Sequence, residues 1–254
     1  VSLYPDLPRL DCHAHIAPDV TTEQIRRLGD CVVYAVSRTL DEGYAALRRR
    51  NDDRLIWGWG AHPAVPEALD TFTPERAATL TSRLPLVGEI GLDRRGSKER
   101  QTAVFAAALQ AAQGQPVLIS VHSTGRTAAV IDTVRTHTHP GLVLHWFLGT
   151  PTEVAAAVAA GCYFSVNAAM PMDVLHHIPQ DRMLPETDFP AGRRTGGGRM
   201  PGDTEPVEVK VAGLLGVTPS HVRRMFWKNL RDISVASGAL ERYPEFVADI
   251  LLTL

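Results

Sequence analysis

The chain has 254 residues, 44% of them hydrophobic and 21% charged, with a formal net charge of -2; this is the profile of an ordinary soluble globular protein long enough for one large domain. The near-neutral balance gives no global pull toward nucleic acid, so any such contact has to be local. No apolar run approaches the ~20 residues of a membrane helix, and the opening Val1-Ser2-Leu3-Tyr4-Pro5-Asp6 lacks the basic and apolar regions of a signal peptide, so a cytoplasmic location is expected.

The first strand runs through Leu10-Asp11-Cys12-His13-Ala14-His15, and strand alternation places Asp11, His13 and His15 on one face. Thr21 to Leu28 reads as a short helix, Cys31 to Val36 as a buried strand, and Asp41 to Arg50 as a helix with a basic end. Leu55 to Gly60 is a third strand leading into Ala61-His62-Pro63, and Thr73-Pro74-Glu75 opens a helix with a hydroxyl cap and proline in the first turn. Leu86 to Ile90 is the fourth strand. An alanine-rich helix from Lys98 to Gln113 stops at Gly114. Strands at 116–121 and 142–144 deliver His122 and His145, with a helix from Arg126 to Thr136 between them. Thr150-Pro151-Thr152-Glu153 has the spacing of a capping box for a helix ending at Gly161.

Cys162 to Val166 is a seventh strand, and a short helix from Asp173 to Ile178 leads to an eighth, Arg182 to Glu186, in which Pro185 is awkward. Ala191 to Pro206 is rich in Gly, Arg and Pro and reads as a mobile loop. Helices at 207–215, at 219–237 capped by Thr218, and at 241–252 close the chain; Phe246, Ile250 and Leu251 share one face of the last. Eight strand-then-helix units with no run of hairpins predict a parallel sheet closed into a (β/α)8 TIM barrel, a single domain over 1–254 with additional C-terminal helices.

In such a barrel function gathers at the carboxyl ends of the strands, where His13, His15, Glu89, His122, His145 and Asp188 fall. Imidazoles and carboxylates converging there are the donor set of a divalent metal. Only Lys98, Lys210 and Lys228 are present, so no lysine stands at a strand end to be carboxylated as a bridge, and a carboxylate has to take that part. The three cysteines, Cys12, Cys31 and Cys162, are too few and scattered for a disulfide framework and read as buried thiols.

His13-x-His15, Gly60-Ala61-His62-Pro63, Gly88-Glu89-Ile90-Gly91-Leu92-Asp93, Val121-His122-Ser123, His145-Trp146-Phe147-Leu148-Gly149 and Glu186-Thr187-Asp188-Phe189-Pro190 together resemble the ordered motifs of the TatD family of metal-dependent deoxyribonucleases, and Asn229 falls where that family has a late Asn. The resemblance implies two divalent ions (Zn, Mn or Mg), one held by His13, His15, Glu89 and Asp188 and the other by Glu89, His122 and His145, with Glu89 bridging. It further implies that Asp188 orients a water and takes its proton, that Glu186 acts at the scissile group, and that His62 lies near the substrate phosphate. Asp11 and Asp93 read as residues that hold the ligands in place.

Some positions depart from the family pattern. Arg94 and Arg95 follow the Gly-Leu-Asp block in place of an aromatic, Thr124 stands where an Arg is usual beside His122, and Trp146 stands where a Cys is common. Arg94, Arg95, Arg193, Arg194 and Arg199 are the candidates to supply the missing phosphate-binding charge. The expected activity is cleavage of DNA phosphodiester bonds, as a 3' exonuclease on single-stranded ends. Two other readings stay open. One is an amide, ester or lactone hydrolase on the same barrel. The other is a divergent subunit of a multi-protein assembly, such as an antiphage defence system, motivated by the substituted phosphate side and the apolar C-terminal helix.

Overall fold

In the computed structural model, which describes residues 7–49, 52–196 and 198–254, each of the eight strand-like runs forms a strand. They are β1 (Arg9–His15), β2 (Cys31–Val36), β3 (Leu55–Trp59), β4 (Leu86–Gly91), β5 (Leu118–His122), β6 (Leu142–His145), β7 (Tyr163–Val166) and β8 (Met183–Pro185). All seven neighbouring pairs are parallel and follow sequence order. Both faces of the strands are covered, which is why they read as near-continuous apolar runs.

Most helix boundaries follow local chemistry. α1 (Thr22–Arg27) starts at a full Thr21/Gln24 capping box, and α2 is Leu40–Ala46. α3 (Pro66–Asp70) is a short helix that the sequence pattern did not suggest. α4 (Pro74–Thr81), α5 (Lys98–Ala112) and α6 (Thr127–Thr136) follow, then α7 (Pro151–Ala159) with the predicted Thr150/Glu153 box in place. α8 (Met172–His177), α9 (Glu205–Leu215), α10 (Pro219–Ser237, capped by Thr218) and α11 (Glu245–Leu252) complete the series.

Three expectations are corrected. α2 stops at Ala46, three residues short of the turn in which the Arg49 guanidinium binds Asp52 and the carbonyls of Pro18 and Val20; a side chain engaged there ties the segment to the β1–α1 loop rather than to a helix, and Arg50 lies outside the described residues. The 191–206 segment, expected as a mobile loop, contains a 3-10 turn over Gly192–Thr195 and is pinned by Gly202 N–H to Asp11 and by Arg199 to Asp203. The apolar face of α11 is spent inside this chain, since Val247, Ile250 and Leu251 are buried and Phe246 carries the Arg54 guanidinium 4.1 Å above its ring. That helix therefore gives no motive for a protein partner.

The barrel is nearly closed, and Pro185 explains the seam. Glu186 N–H donates to Val166 in β7, so the preceding residue faces β1, where proline has no N–H to give. Closure comes just beyond the strand instead. Asp188 N–H donates to His13 O at 2.9 Å, His15 N–H to Phe189 O at 2.8 Å, and Thr187 gives both its N–H and its hydroxyl to the Asp11 carboxylate. α10 covers this seam from outside: Trp227 Nε1 donates to Pro8 O, and the Asn229 amide holds the carbonyls of Gln180 and Met183. Among the described residues no helix is long and apolar enough to cross a membrane.

Candidate metal centre

Two strands are irregular at the residues that matter. The β1–β2 register shifts between Asp11 and Ala14, and the β4–β5 register between Val87 and Ile90. Such interruptions re-aim side chains. In β1 the shift separates Asp11 from the two histidines expected on its face: Asp11 turns to the β8 seam, while His13 and His15 turn into the barrel mouth. In β4 it allows Ser37 N–H to bond Gly88 O, Glu89 N–H to bond Ser37 O, and Ala61 N–H to bond Glu89 O. The crossing passes over Gly60, where a Cβ would lie 2.0 Å from Ser37 O and 2.7 Å from Glu89 N. Glycine at that position is what lets β4 lean across β3 and carry Glu89 to the centre of the mouth.

There the two oxygens of Glu89 face two sets of imidazoles. Oε1 lies 2.5 Å from His122 Nδ1 and 2.8 Å from His145 Nε2. Oε2 lies 3.1 Å from His15 Nε2, 3.3 Å from His62 Nε2 and 3.7 Å from His13 Nε2. Asp188 Oδ1 completes the second set, 3.7 Å from His13 and 3.8 Å from His15. Asp188 sits at φ 45°, a conformation an L-residue other than glycine adopts at a cost of about 1–3 kcal/mol, held by the two backbone bonds that close the barrel. All six expected ligands and His62 thus meet at one point.

Hydrogen bonds behind the cluster decide which nitrogens are free. Asp93 Oδ2 lies 2.8 Å from His122 Nε2; a carboxylate only accepts, so Nε2 carries a proton, and Nδ1 is the nitrogen turned to Glu89 that a cation there would use. Ser120 Oγ takes His13 Nδ1 at 2.7 Å, leaving Nε2 inward. His62 is different. Ala64 N–H donates to its Nδ1 at 3.0 Å, so the neutral ring carries its proton on Nε2 and presents a donor, not a lone pair, to the mouth. Burial keeps that ring neutral by lowering its pKa to about 4.

The electrostatics are those of a site short of positive charge. Burial opposes ionisation of Glu89, but the His62, His145 and His122 imidazoles outweigh it and hold the carboxyl well below its usual range. Burial drives Asp188 up to about 7, His145 and His15 pulling against it and Glu89 and Glu186 adding to it. Burial likewise holds His13 well below the ordinary value. His13 Nε2 and Glu89 Oε2, both turned to the mouth, are buried with no hydrogen-bond partner, an arrangement that costs several kcal/mol in a dry interior unless something positive is bound. Oxygen and nitrogen donors in this number fit divalent cations.

The remaining expected residues are placed as follows. Glu186 is fully buried behind the ring, accepting from Ser165 and lying 3.8 Å from His145 Nδ1, so it reaches the mouth only through that histidine. Arg194 lines a cleft of about 700 Å³ beside His15 and His62, together with Arg38 and Arg95. Arg95 also clamps Asp93 through Nε and Nη2, both at 2.8 Å. Arg94 lies along Gly125, with its N–H on Thr124 O. The Arg193 side chain lies outside the described residues, and Arg199 is taken up by Asp203.

Sequence reasoning missed Ser120, Ser165, Arg38 and Gln101. Ser120 stands two residues before His122 on the same strand face, a spacing that could have marked it. Arg38 stands two residues past β2. Gln101, buried in α5, spans Asp93 N, Pro63 O and Arg95 O and so joins the loops after β3 and β4; nothing in its surroundings in the chain signals this.

Comparison with known proteins agrees with this geometry. The family described as TatD related DNase matches residues 10–234. The mouse protein named putative deoxyribonuclease TATDN3 is 25% identical over 218 residues, covering 72% of each chain. The 3'-5' ssDNA/RNA exonuclease TatD of Edwardsiella piscicida is 37% identical over 119 residues, 41% of this chain and 45% of that one. In structure, the TatD homologue YjjV of Escherichia coli K12 superposes with a TM-score of 0.75 over 88% of this chain and 97% of that chain at 20% identity, a likeness of fold. A family match that starts in β1 and ends within α10 takes in every donor residue named above, and the chain belongs to the TatD related DNase family, whose members are hydrolases acting on ester bonds.

Proposed function

We propose that this chain is a two-cation phosphodiesterase that removes nucleotides from 3' ends of single-stranded DNA. The observation that carries the reading is the division of labour at Glu89: one oxygen faces His122 and His145, the other His13 and His15 with Asp188 alongside. In this assignment His13, His15, Asp188 and Glu89 hold one ion, Glu89, His122 and His145 hold the other, and zinc, manganese and magnesium are the candidates. Such ions supply Lewis acidity that offsets phosphoryl charge and acidifies water.

The chain's own residues do the rest. Asp188, 7% exposed at the lip, orients the attacking water and accepts its proton. The water oxygen bonds to phosphorus as the bond to the 3' oxygen of the upstream nucleotide breaks, and that oxygen leaves as a hydroxyl with a proton taken from solvent. His62 donates Nε2–H to a non-bridging phosphate oxygen. Arg38, Arg95 and Arg194 bind the phosphates on the 5' side of the scissile bond, in the cleft that opens onto these imidazoles. Glu186 acts as a positioning residue behind His145. A strand end enters a barrel mouth more readily than a continuous duplex, and an exonuclease named for 3'-5' action on ssDNA and RNA is among the relatives.

The test is metal stoichiometry together with activity. Purified protein reconstituted with manganese or zinc should hold two ions per chain and release nucleotides from a single-stranded oligonucleotide. E89Q should lose at least one ion and most of the activity. One ion per chain, or full activity in E89Q with contaminating nuclease excluded, would overturn the assignment.

A further inference from the structure

His15 is the shared wall of two depressions. On one side is the arginine-lined cleft described above. On the other is a smaller pocket of about 280 Å³ walled by Ile16, Val20, Leu28, Phe189 and Pro201. The two differ in chemistry: three guanidinium groups and an imidazole on one side, aliphatic and aromatic carbon on the other. A nucleotide is divided in the same way, into a phosphate that needs cations and a base that favours an apolar or aromatic surface.

We infer that the smaller pocket is the subsite for the base of the terminal nucleotide, an inference that rests on the phosphodiesterase reading. Size sets the direction. The pocket admits one base with its sugar, whereas the cleft is more than twice as large and carries the charge a continuing polyanion requires. Phe189 follows Asp188 directly, so the residue beside the proposed proton acceptor also offers an aromatic ring to the base.

The rim adds polarity. Gln24 Oε1 is committed to Thr21 N–H in the α1 capping box, which leaves its amide N–H2 for the edge of a base, and the Asp19 carboxylate on the same rim is an acceptor for exocyclic amines. A base seated here has left its neighbours, which a single-stranded end allows and a paired one resists. The pocket therefore makes the enzyme read the end of a strand, and discriminate weakly among bases, through contact surface rather than a full hydrogen-bond code.

The experiment compares two single-stranded oligonucleotides, identical except that the 3'-terminal nucleotide of one carries a tetrahydrofuran in place of its base. With manganese supplied, wild-type protein should cleave the natural end with kcat/KM on the order of tenfold higher, most of it in KM. In Ala17→Trp, where an exposed pocket residue is enlarged to fill the space, that ratio should fall to near one. Equal cleavage of the two ends by wild type overturns the proposal, and so does a ratio that survives in folded A17W. If neither end is cleaved with cations present, the phosphodiesterase reading itself fails and this inference fails with it. Because the wild-type comparison needs no variant, a misfolded A17W leaves the test intact.

Discussion

Replacing Asp93 with Asn asks whether the hydrogen bonds behind the ligands tune the cation site. The buried carboxylate serves two residues: its Oδ2 faces His122 Nε2 at 2.8 Å, and both oxygens are gripped by Arg95, at 2.8 Å from Nε and from Nη2, with Arg95 N–H at 2.7 Å. Asparagine keeps one oxygen and turns an N–H2 group toward the other donors. Either His122 Nε2–H or the guanidinium then faces a donor, and the formal charge that made the imidazole a stronger ligand is gone. Loss of such a partner costs 10–100-fold in metal affinity, or about 1.4–2.8 kcal/mol. Arg95→Ala is the control, because its guanidinium is 67% exposed and its removal leaves the Asp93–His122 bond standing; its effect should stay below about fivefold. Competition with a chromophoric chelator at fixed pH measures both, and a thermal melt checks folding. If folded D93N binds cations within twofold of wild type, the tautomer argument for His122 is wrong.

Other perturbations test separate links. Gly60→Ala places a Cβ 2.0 Å from Ser37 O and should cost about 1–3 kcal/mol from overpacking alone, with a larger drop in bound metal than in helical signal, because Glu89 is carried by that crossing. Thr150→Ala removes the α7 cap, costing about 1 kcal/mol and lowering Tm by about 2–4 °C. Burial raises the Glu153 carboxyl, but donation from Thr127 and from the backbone and hydroxyl of Thr150 outweighs it and holds the pKa below the ordinary 4.5. The stability difference between wild type and E153Q should then be fully present above pH 4.5 and shrink as acid protonates the folded carboxyl, which urea melts across pH 3–6 would show; a difference independent of pH would refute it. Arg38→Gln and Arg194→Gln should each weaken binding of single-stranded DNA and reduce its log–log salt slope by about 0.7. An unchanged slope removes that arginine from the cleft's phosphate contacts.

Much of this was legible in the chain because it is local. Strand alternation, apolar runs, the Thr21, Thr150 and Thr218 caps, and a histidine or carboxylate at the end of each functional strand are fixed by residues a few positions apart. A barrel of eight parallel units followed from their repetition, and the motif order identified the family from the ligand residues themselves.

The tertiary structure decided everything that depends on residues distant in the chain. That Asp11 would leave the face of His13 and His15 to brace Thr187 and Gly202, that Gly60 would let Glu89 cross to Ser37, and that Gln101 would reach Pro63 and so tie two loops together were invisible, since these contacts join segments separated by tens of residues or more. The resemblance placed His62 near the substrate phosphate but could not say that Ala64 N–H fixes its proton on Nε2 and makes it a donor. Likewise the apolar face of α11 read as a surface for a partner until packing showed it turned inward. Periodicity shows that a side chain will be buried; only the fold shows against what, and hydrogen-bond partners, not residue type, determine which atom is left free for chemistry.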